Sequence, residues 1–280
     1  MSFHTRALLV VGALATLLVT LTGCGAPAGL AGQLTVVGST ALQPLVDEAA
    51  RQFMAEHPQA QITVNGGGSG FGLTQVATGA AQIGNSDIFA NEKPDIDASA
   101  LEDHKVAVVG IAAVVNPNAG VDNVTQAQLI DIFTGKVNNW KQVGGHDVKI
   151  TVINRAKGSG TRATFKQYAL LGNEEMESQS EDSSGAVRKI VAETPGAVSY
   201  LALSYIDSSV RALKLNGVEP TAANIANGTY PVWAYEHMYT KGPANGLAKT
   251  FIDYILSDKV QRDLIPKLGY IPVVDMKVSR

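Results

Sequence analysis

Residues 155–161 read Arg-Ala-Lys-Gly-Ser-Gly-Thr, a cation followed by a flexible turn and two hydroxyls. An apolar run (148–153) precedes this stretch, and a helical pattern (Ala163, Phe165, Tyr168, Ala169) follows it. A strand, a Gly-Ser turn and a helix start in that order make an anion site. The first N–H groups of a helix lack intrahelical partners, and the helix dipole favours negative charge there. Ser159 stands where an N-cap hydroxyl would, and Arg155 offers a planar fork suited to a tetrahedral oxyanion. Two further stretches share the form. Gly38-Ser39-Thr40-Ala41 follows the apolar run 34–37, and Gly66-Gly67-Gly68-Ser69-Gly70 follows Ile62 and Val64; each precedes a helical pattern. A single Gly-Ser turn caps ordinary helices. Three of them, one with an Arg, predict several helix N-termini converging on one anion.

Asp87, at the end of the apolar run 82–86, is the odd member of this set. A carboxylate repels an anion unless a proton lies between them. Phosphate near neutral pH keeps at least one hydrogen, and sulfate keeps none. A site of hydroxyls, N–H donors, one Arg and one Asp therefore accepts phosphate through an Asp···H–O–P bond and rejects sulfate. Two facing acceptors left unpaired cost several kcal/mol, roughly 10³-fold. The competing reading gives Asp87 only an Asx turn in the next loop.

The elements that must position these residues alternate. Strand patterns fall at 34–37, 62–64, 82–86, 106–115, 149–153, 197–200 and 232–239. Helical patterns fall at 44–56, 70–78, 126–133, 161–171, 247–256 and 259–264. The run 106–115 is almost continuously apolar, as in a strand buried on both faces. The alternation predicts an α/β protein with mostly parallel sheets. Gly38, Gly66, Asp87 and Arg155 all lie just past predicted strand ends, where open α/β sheets bind ligands.

The N-terminus reads as an export and anchoring signal rather than as part of the fold. Arg6 precedes an apolar run (7–21) too short to span a membrane, and then comes Leu21-Thr22-Gly23-Cys24. This ending resembles the bacterial lipoprotein box, so residues 1–23 are expected to be removed and Cys24 to carry the lipid. Residues 24–33 read as a lipidated tether. Cys24 is the sole cysteine, so no intrachain disulfide can form. Cleavage leaves 21 basic and 25 acidic side chains, which gives no reason to expect nucleic-acid binding.

Taken together, these residues resemble the phosphate-binding protein of the bacterial phosphate-specific ABC importer. The resemblance spans about 34–273. It rests on Gly38 to Leu42, Gly68-Ser69-Gly70, Ile83 to Asp87, Leu129 to Gly135 with Trp140, Arg155 to Thr161, and Gly196 to Tyr200. It implies a two-lobed type II periplasmic-binding-protein fold, with lobes of 34–114 plus 237–280 and of 115–236, crossed near 114–116 and 233–239. It implies that Thr40, Ala41, Ser69, Asp87, Arg155, Ser159, Gly160 and Thr161 hold phosphate. It also implies a monomer that needs no metal or cofactor, closes on its ligand, and hands it to a membrane permease driven by ATPase subunits. Two positions depart from the pattern. Lys157 stands where many relatives have an acid, and Ala41 stands where some have an aromatic.

The rival classes are a binder of another oxyanion (sulfate, molybdate or tungstate), an adhesin or sensor on the same fold, and an extracytoplasmic phosphate-ester enzyme. An enzyme needs a metal cluster or an activated nucleophile. The five His residues (4, 57, 104, 146 and 237) stand singly, Ser69 and Ser159 do not sit in G-x-S-x-G, and no G-x-x-x-x-G-K-[ST] occurs. Arg162, just after the anion turn, is read as a possible supporting charge.

Overall fold

A computed structural model describes residues 30–280. The expected signal, the lipid site Cys24 and most of the tether lie outside the described residues. In chain order the elements are β1 (Gly32–Gly38), α1 (Gln43–Glu56), β2 (Ala60–Asn65), α2 (Ser69–Thr78), β3 (Ile83–Ser86), β4 (Leu101–Val115), β5 (Asn123–Val124) and α3 (Gln126–Phe133). Next come β6 (Thr151–Arg155), α4 (Gly160–Tyr168), β7 (Gln179–Glu181), α5 (Ser184–Glu193), β8 (Ala197–Ala202), β9 (Arg211–Ala212) and β10 (Lys214–Leu215). The chain ends with α6 (Ala222–Ala226), β11 (Trp233–Lys241), α7 (Gly246–Ile255) and α8 (Ile265–Lys267). The tether expected to reach residue 33 is shorter, because Gly32 and Gln33 already pair with Ala60 and Gln61.

One sheet path, β2-β1-β3-β11-β4-β8-β6-β7, runs through both halves of the molecule. The strands β2, β1 and β3 are parallel, as are β8, β6 and β7, while β11 and β4 enter antiparallel to their neighbours. The expected pair of mostly parallel sheets is therefore one mixed, curled sheet. The cause is β4. Its 15 residues are long enough to serve both lobes, and every position from Val106 to Val115 is buried. Leu101 to Gly110 pair with β11, and Ile111 to Val115 pair with β8. The exchange of partners falls between Gly110 and Ile111, earlier than the crossing expected near 114–116. A methyl group at Gly110 would meet Ile225 Cδ1 at 2.2 Å and Leu203 Cδ1 at 2.8 Å, so any larger residue at the exchange would have to displace those two side chains.

Each lobe has its own aromatic centre. On α1 the buried positions Leu45, Val46, Ala49, Ala50 and Phe53 form one helical stripe. Phe53 meets Phe251 and Tyr254 edge-on from α7. Removing a buried ring of this kind costs about 3–5 kcal/mol. In the second lobe Phe165 of α4 stacks on Tyr200 of β8, with Phe133 of α3 against both. These packings fix the ends of β1, β3 and β6, and the chemistry sits on those ends. The segment 259–264, expected as an ordinary helix, is a π-helical turn (Val260–Leu264) leading into α8. Among the described residues, no helix is long and apolar enough to cross a membrane.

Candidate functional site

The loops after β1, β2 and β3 face the loops after β6 and β7 across a closed cleft. Gly38 makes the first approach possible. A Cβ there would lie 2.2 Å from the Asn85 carbonyl oxygen, so glycine alone lets the ends of β1 and β3 come together. Ser39 N then donates to Asn85 O at 3.0 Å. Ser39 Oγ accepts from the N–H groups of Ala41 (3.0 Å) and Leu42 (3.2 Å) and donates to Asp87 Oδ1.

Arg155 ends β6 and is 1% exposed. Its Nη2 donates to Thr40 Oγ1 and to the Asp182 carbonyl, both at 3.1 Å, and its Nη1 donates to Ser184 Oγ at 3.1 Å. Nε donates to the Glu181 carbonyl at 3.3 Å. Every partner is neutral. Among the described residues no carboxylate forms an ion pair with Arg155. Burial pulls its pKa down from the ordinary guanidinium range, and Asp87 is the largest charge acting the other way. A buried cation without a counter-ion is costly. The main chain of Arg155 is braced on both sides. Tyr200 Oη accepts its N–H at 3.3 Å, and Arg162 Nη1 donates to its carbonyl at 2.6 Å. Arg162 is in turn held by Glu175, whose Oε2 lies 2.7 Å from Arg162 Nε. Burial raises the Glu175 carboxyl, and the Tyr200 hydrogen bond and the Arg162 charge oppose that rise. Arg162 thus supports the site by positioning Arg155.

Asp87 is 4% exposed and takes donors from both lobes. Oδ1 accepts from Ser39 and Oδ2 from Thr161 Oγ1 at 2.8 Å, while its own N–H donates to Ser69 Oγ at 2.9 Å. This is not the Asx turn of the competing reading. Gly160 packs so tightly that an added Cβ would lie 2.3 Å from Ser69 Oγ and 2.9 Å from Asp87 Cβ. Gly70 N donates to Gly158 O at 3.0 Å, a direct backbone bond between the lobes.

The structure therefore gathers Thr40, Ser69, Asp87, Arg155, Gly160 and Thr161 in one place. Two expected members are engaged differently. The Ala41 N–H is bonded to Ser39 Oγ, and Ser159 Oγ caps its own helix by accepting from Arg162 N at 3.2 Å. Lys157 is exposed, so the departure from the acidic pattern points into solvent.

Sequence reasoning missed Ser184. It is fully buried, its Oγ lies 3.1 Å from Thr40 Oγ1, and its N–H donates to Thr40 Oγ1 at 3.2 Å. The signal was a fourth turn, Asp182-Ser183-Ser184-Gly185, ahead of Val187, Ile190 and Val191 at helical spacing. Ser183 caps that helix by accepting from Ala186 N at 3.2 Å. Glu236, buried beside Asp87, was missed as well.

Two lobes that meet over a buried cation, a facing carboxylate and a ring of hydroxyls define a solute-binding protein of the two-lobed periplasmic type. Residues 25–259 match the model of the PBP superfamily domain, and the chain belongs to that superfamily. Within it the chain is a member of the PstS family. It is 59% identical over 250 residues to the phosphate-binding protein PstS of Bacillus subtilis (strain 168), covering 89% of this chain and 83% of that one. Among solved structures, a phosphate ABC transporter substrate-binding protein from Clostridium perfringens with bound phosphate superposes with a TM-score of 0.80. It is 34% identical, over 86% of this chain and all of that one. An ABC-type phosphate transport receptor from Vibrio cholerae gives a TM-score of 0.66 at 31% identity, over 85% and 99% of the two chains. These relatives are named as binding and transport proteins. Among the described residues, no group of three His, Cys, Asp or Glu side chains could hold a metal ion.

Proposed function

We propose that the chain captures inorganic phosphate between its lobes and delivers it to an ABC importer. The observation that carries this reading is Arg155, a buried guanidinium without an ion pair, set among hydroxyls and sharing the cleft with the acceptor Asp87. The cation supplies the charge that an anion needs. Asp87 supplies an acceptor that only an anion bearing a hydrogen can use. Thr40, Ser69, Ser184 and Thr161 supply hydroxyls, and the starts of α2, α4 and α5 supply N–H groups. Gly160 lets the lobes meet. Ala41 and Ser159 act through the turns they hold.

The exchange of strand partners supports lobe borders at Gly110/Ile111 and at Val232/Trp233, with Ile111 N donating to Val232 O at 3.0 Å between the two crossings. Closure about these crossings brings donors from both lobes to one ligand, which thereby favours the closed state. The loaded monomer docks on a permease whose ATPase subunits drive import. Lipid on Cys24 keeps the protein at the outer face of the cell membrane.

Calorimetric titration with phosphate, and with sulfate in parallel at the same pH, tests the reading. Tight one-to-one phosphate binding with silent sulfate is expected. Equal binding of both anions, or of neither, would return the site to the other oxyanions or to the non-transport readings. Cys24→Ala is expected to move the protein out of the membrane fraction, and retention there would remove the lipid anchor.

A further inference from the structure

Glu236 lies on β11, fully buried, and neither of its carboxyl oxygens has an ordinary donor partner among the described residues. Its position explains why it is there. β11 runs antiparallel to β3 with Met238 opposite Asn85 and His237 opposite Ser86. One residue beyond the last pair of that ladder come Glu236 on β11 and Asp87 after β3, side by side where β3 ends. Directly opposed residues of an antiparallel pair share a face, with Cβ atoms about 4.5–5.5 Å apart, and two like charges there are unfavourable. Both residues are buried there, and with no other partner among the described residues the Glu236 carboxyl can bond only to Asp87. Two carboxyls can bond in this way only with a proton between them.

The surroundings hold that proton on Glu236. On its other side β4 presents Ala107. Helix α2, which packs on β11, carries no titratable side chain. Helix α4 also touches β11, but its cations Arg162 and Lys166 are committed to Glu175 and Glu174. The remaining titratable neighbours are Tyr205 and Tyr270. Burial pushes the first up to about 12 and the second well up, so both stay neutral. His237, next along the strand, is turned to Asp103, 2.7 Å away. Lys105, opposite His237 on β4, holds its ammonium over the Phe89 and Tyr235 rings, and among the described residues no cation forms an ion pair with Glu236. Burial first, and the Asp87 carboxylate second, push the Glu236 carboxyl well above its ordinary value.

We propose that Glu236 is a protonated acid that donates its hydrogen to Asp87, so that the two carboxyls form one pair with a single negative charge, and that this pair sets the upper pH limit of anion binding. The inference rests on the phosphate reading given above. With the proton in place, Glu236, Ser39 and Thr161 occupy three of the roughly four acceptor positions of Asp87, which leaves about one for a ligand hydrogen. When Glu236 ionises, a second negative charge appears behind Asp87, and the anion is repelled. Glu236 does not touch the ligand. It positions Asp87 and moderates its charge.

The test uses ¹³C-carboxyl NMR of the ligand-free protein with labelled glutamate, together with phosphate titrations across pH, on the wild type and Glu236→Gln. One glutamate resonance, missing in Glu236→Gln, is expected at the protonated position at neutral pH and should titrate only in the alkaline range. Wild-type phosphate affinity should fall at least tenfold as that resonance titrates. The amide variant should be several-fold weaker at neutral pH and should lack the alkaline fall. A glutamate already ionised at neutral pH, or a variant that follows the wild-type pH profile, overturns the proposal. Should the amide variant not fold, Asp87→Asn decides, because loss of the facing carboxylate must shift the same titration to lower pH; an unmoved titration refutes the pair. If neither protein binds phosphate at any pH, the function reading fails and the pH limit fails with it, while the resonance still shows where the proton resides.

Discussion

The first lobe brings Thr40, Ser69 and Asp87 to the cleft on the loops after β1, β2 and β3, and the second brings Arg155, Thr161 and Ser184 on the loops around β6 and β7. Both use hydroxyls at helix starts beyond parallel strands. They differ in charge and in how the hydroxyls are employed. The first lobe holds the carboxyl groups of Asp87 and Glu236, and the second holds the guanidinium. In the second lobe Ser159 and Ser183 cap their own helices. In the first, α2 starts at Gly68 with φ 85°, has no side-chain cap, and leaves Ser69 to receive the Asp87 N–H. The cation therefore sits on a lobe whose helix starts are locally satisfied, and the acceptor sits on a lobe whose serine hydroxyl serves the site.

The largest break in this comparison is Arg155→Ala, which removes the charge that distinguishes the second lobe. Truncating a buried, hydrogen-bonded charge costs about 2–5 kcal/mol, so phosphate affinity should fall by about a thousandfold. An unaltered dissociation constant would mean the site is elsewhere. Gly160→Ala comes next and attacks the contact between the lobes. Its methyl group would sit 2.3 Å from Ser69 Oγ, so the lobes cannot seat without displacement. Overpacking costs about 1–3 kcal/mol, a loss of roughly 10- to 100-fold in affinity with the fold retained. Small-angle scattering with phosphate should then show a less compact protein than the wild type, and an equally closed one would contradict the steric argument.

Asp87→Asn sharpens the comparison. It replaces the first lobe's acceptor with an amide that can also donate. Phosphate should lose about 1–3 kcal/mol of its preference over sulfate, while binding of oxyanions in general suffers less. Competition of the two anions against one reporter measures this, and an unchanged ratio would remove Asp87 from selectivity.

Much of this architecture was legible in the chain. The buried strand β4, the stripe of α1 and the Gly-Ser turns before α1, α2 and α4 are local patterns, and the residues beyond the strand ends meet in space because parallel strands bring them to one edge. What was not legible depended on pairing. Nothing in Trp-Ala-Tyr-Glu-His tells that Glu236 faces Asp87, because that follows from the register of β11 on β3. The point at which β4 changes partners is likewise a property of the sheet. The Gly-Ser turns looked alike, yet a shift of one position in the N-cap gave Ser69 and Ser159 different work. The three-residue β7 and the start of α5 were too short and too polar to stand out, and so Ser184 escaped notice.

Ser184 gives the smallest of these effects and the most direct check on that omission. It joins both members of the comparison, since its Oγ accepts from Arg155 and exchanges a hydrogen bond with Thr40, while its N–H donates to the same Thr40 oxygen. Ser184→Ala removes the hydroxyl and leaves the N–H and the Ser183 cap in place. A bond between neutral hydroxyls is worth about 0.5–1.5 kcal/mol, and one from a charged donor about 1.5–3 kcal/mol. Arg155 keeps its bonds to Thr40 and to the two carbonyls, so it loses one partner of several. The expected fall in phosphate affinity is thus about 3- to 10-fold, with selectivity over sulfate unchanged because Asp87 is untouched. A loss as large as that of Arg155→Ala would show that the hydroxyl, rather than the guanidinium, organises the second lobe's half of the site.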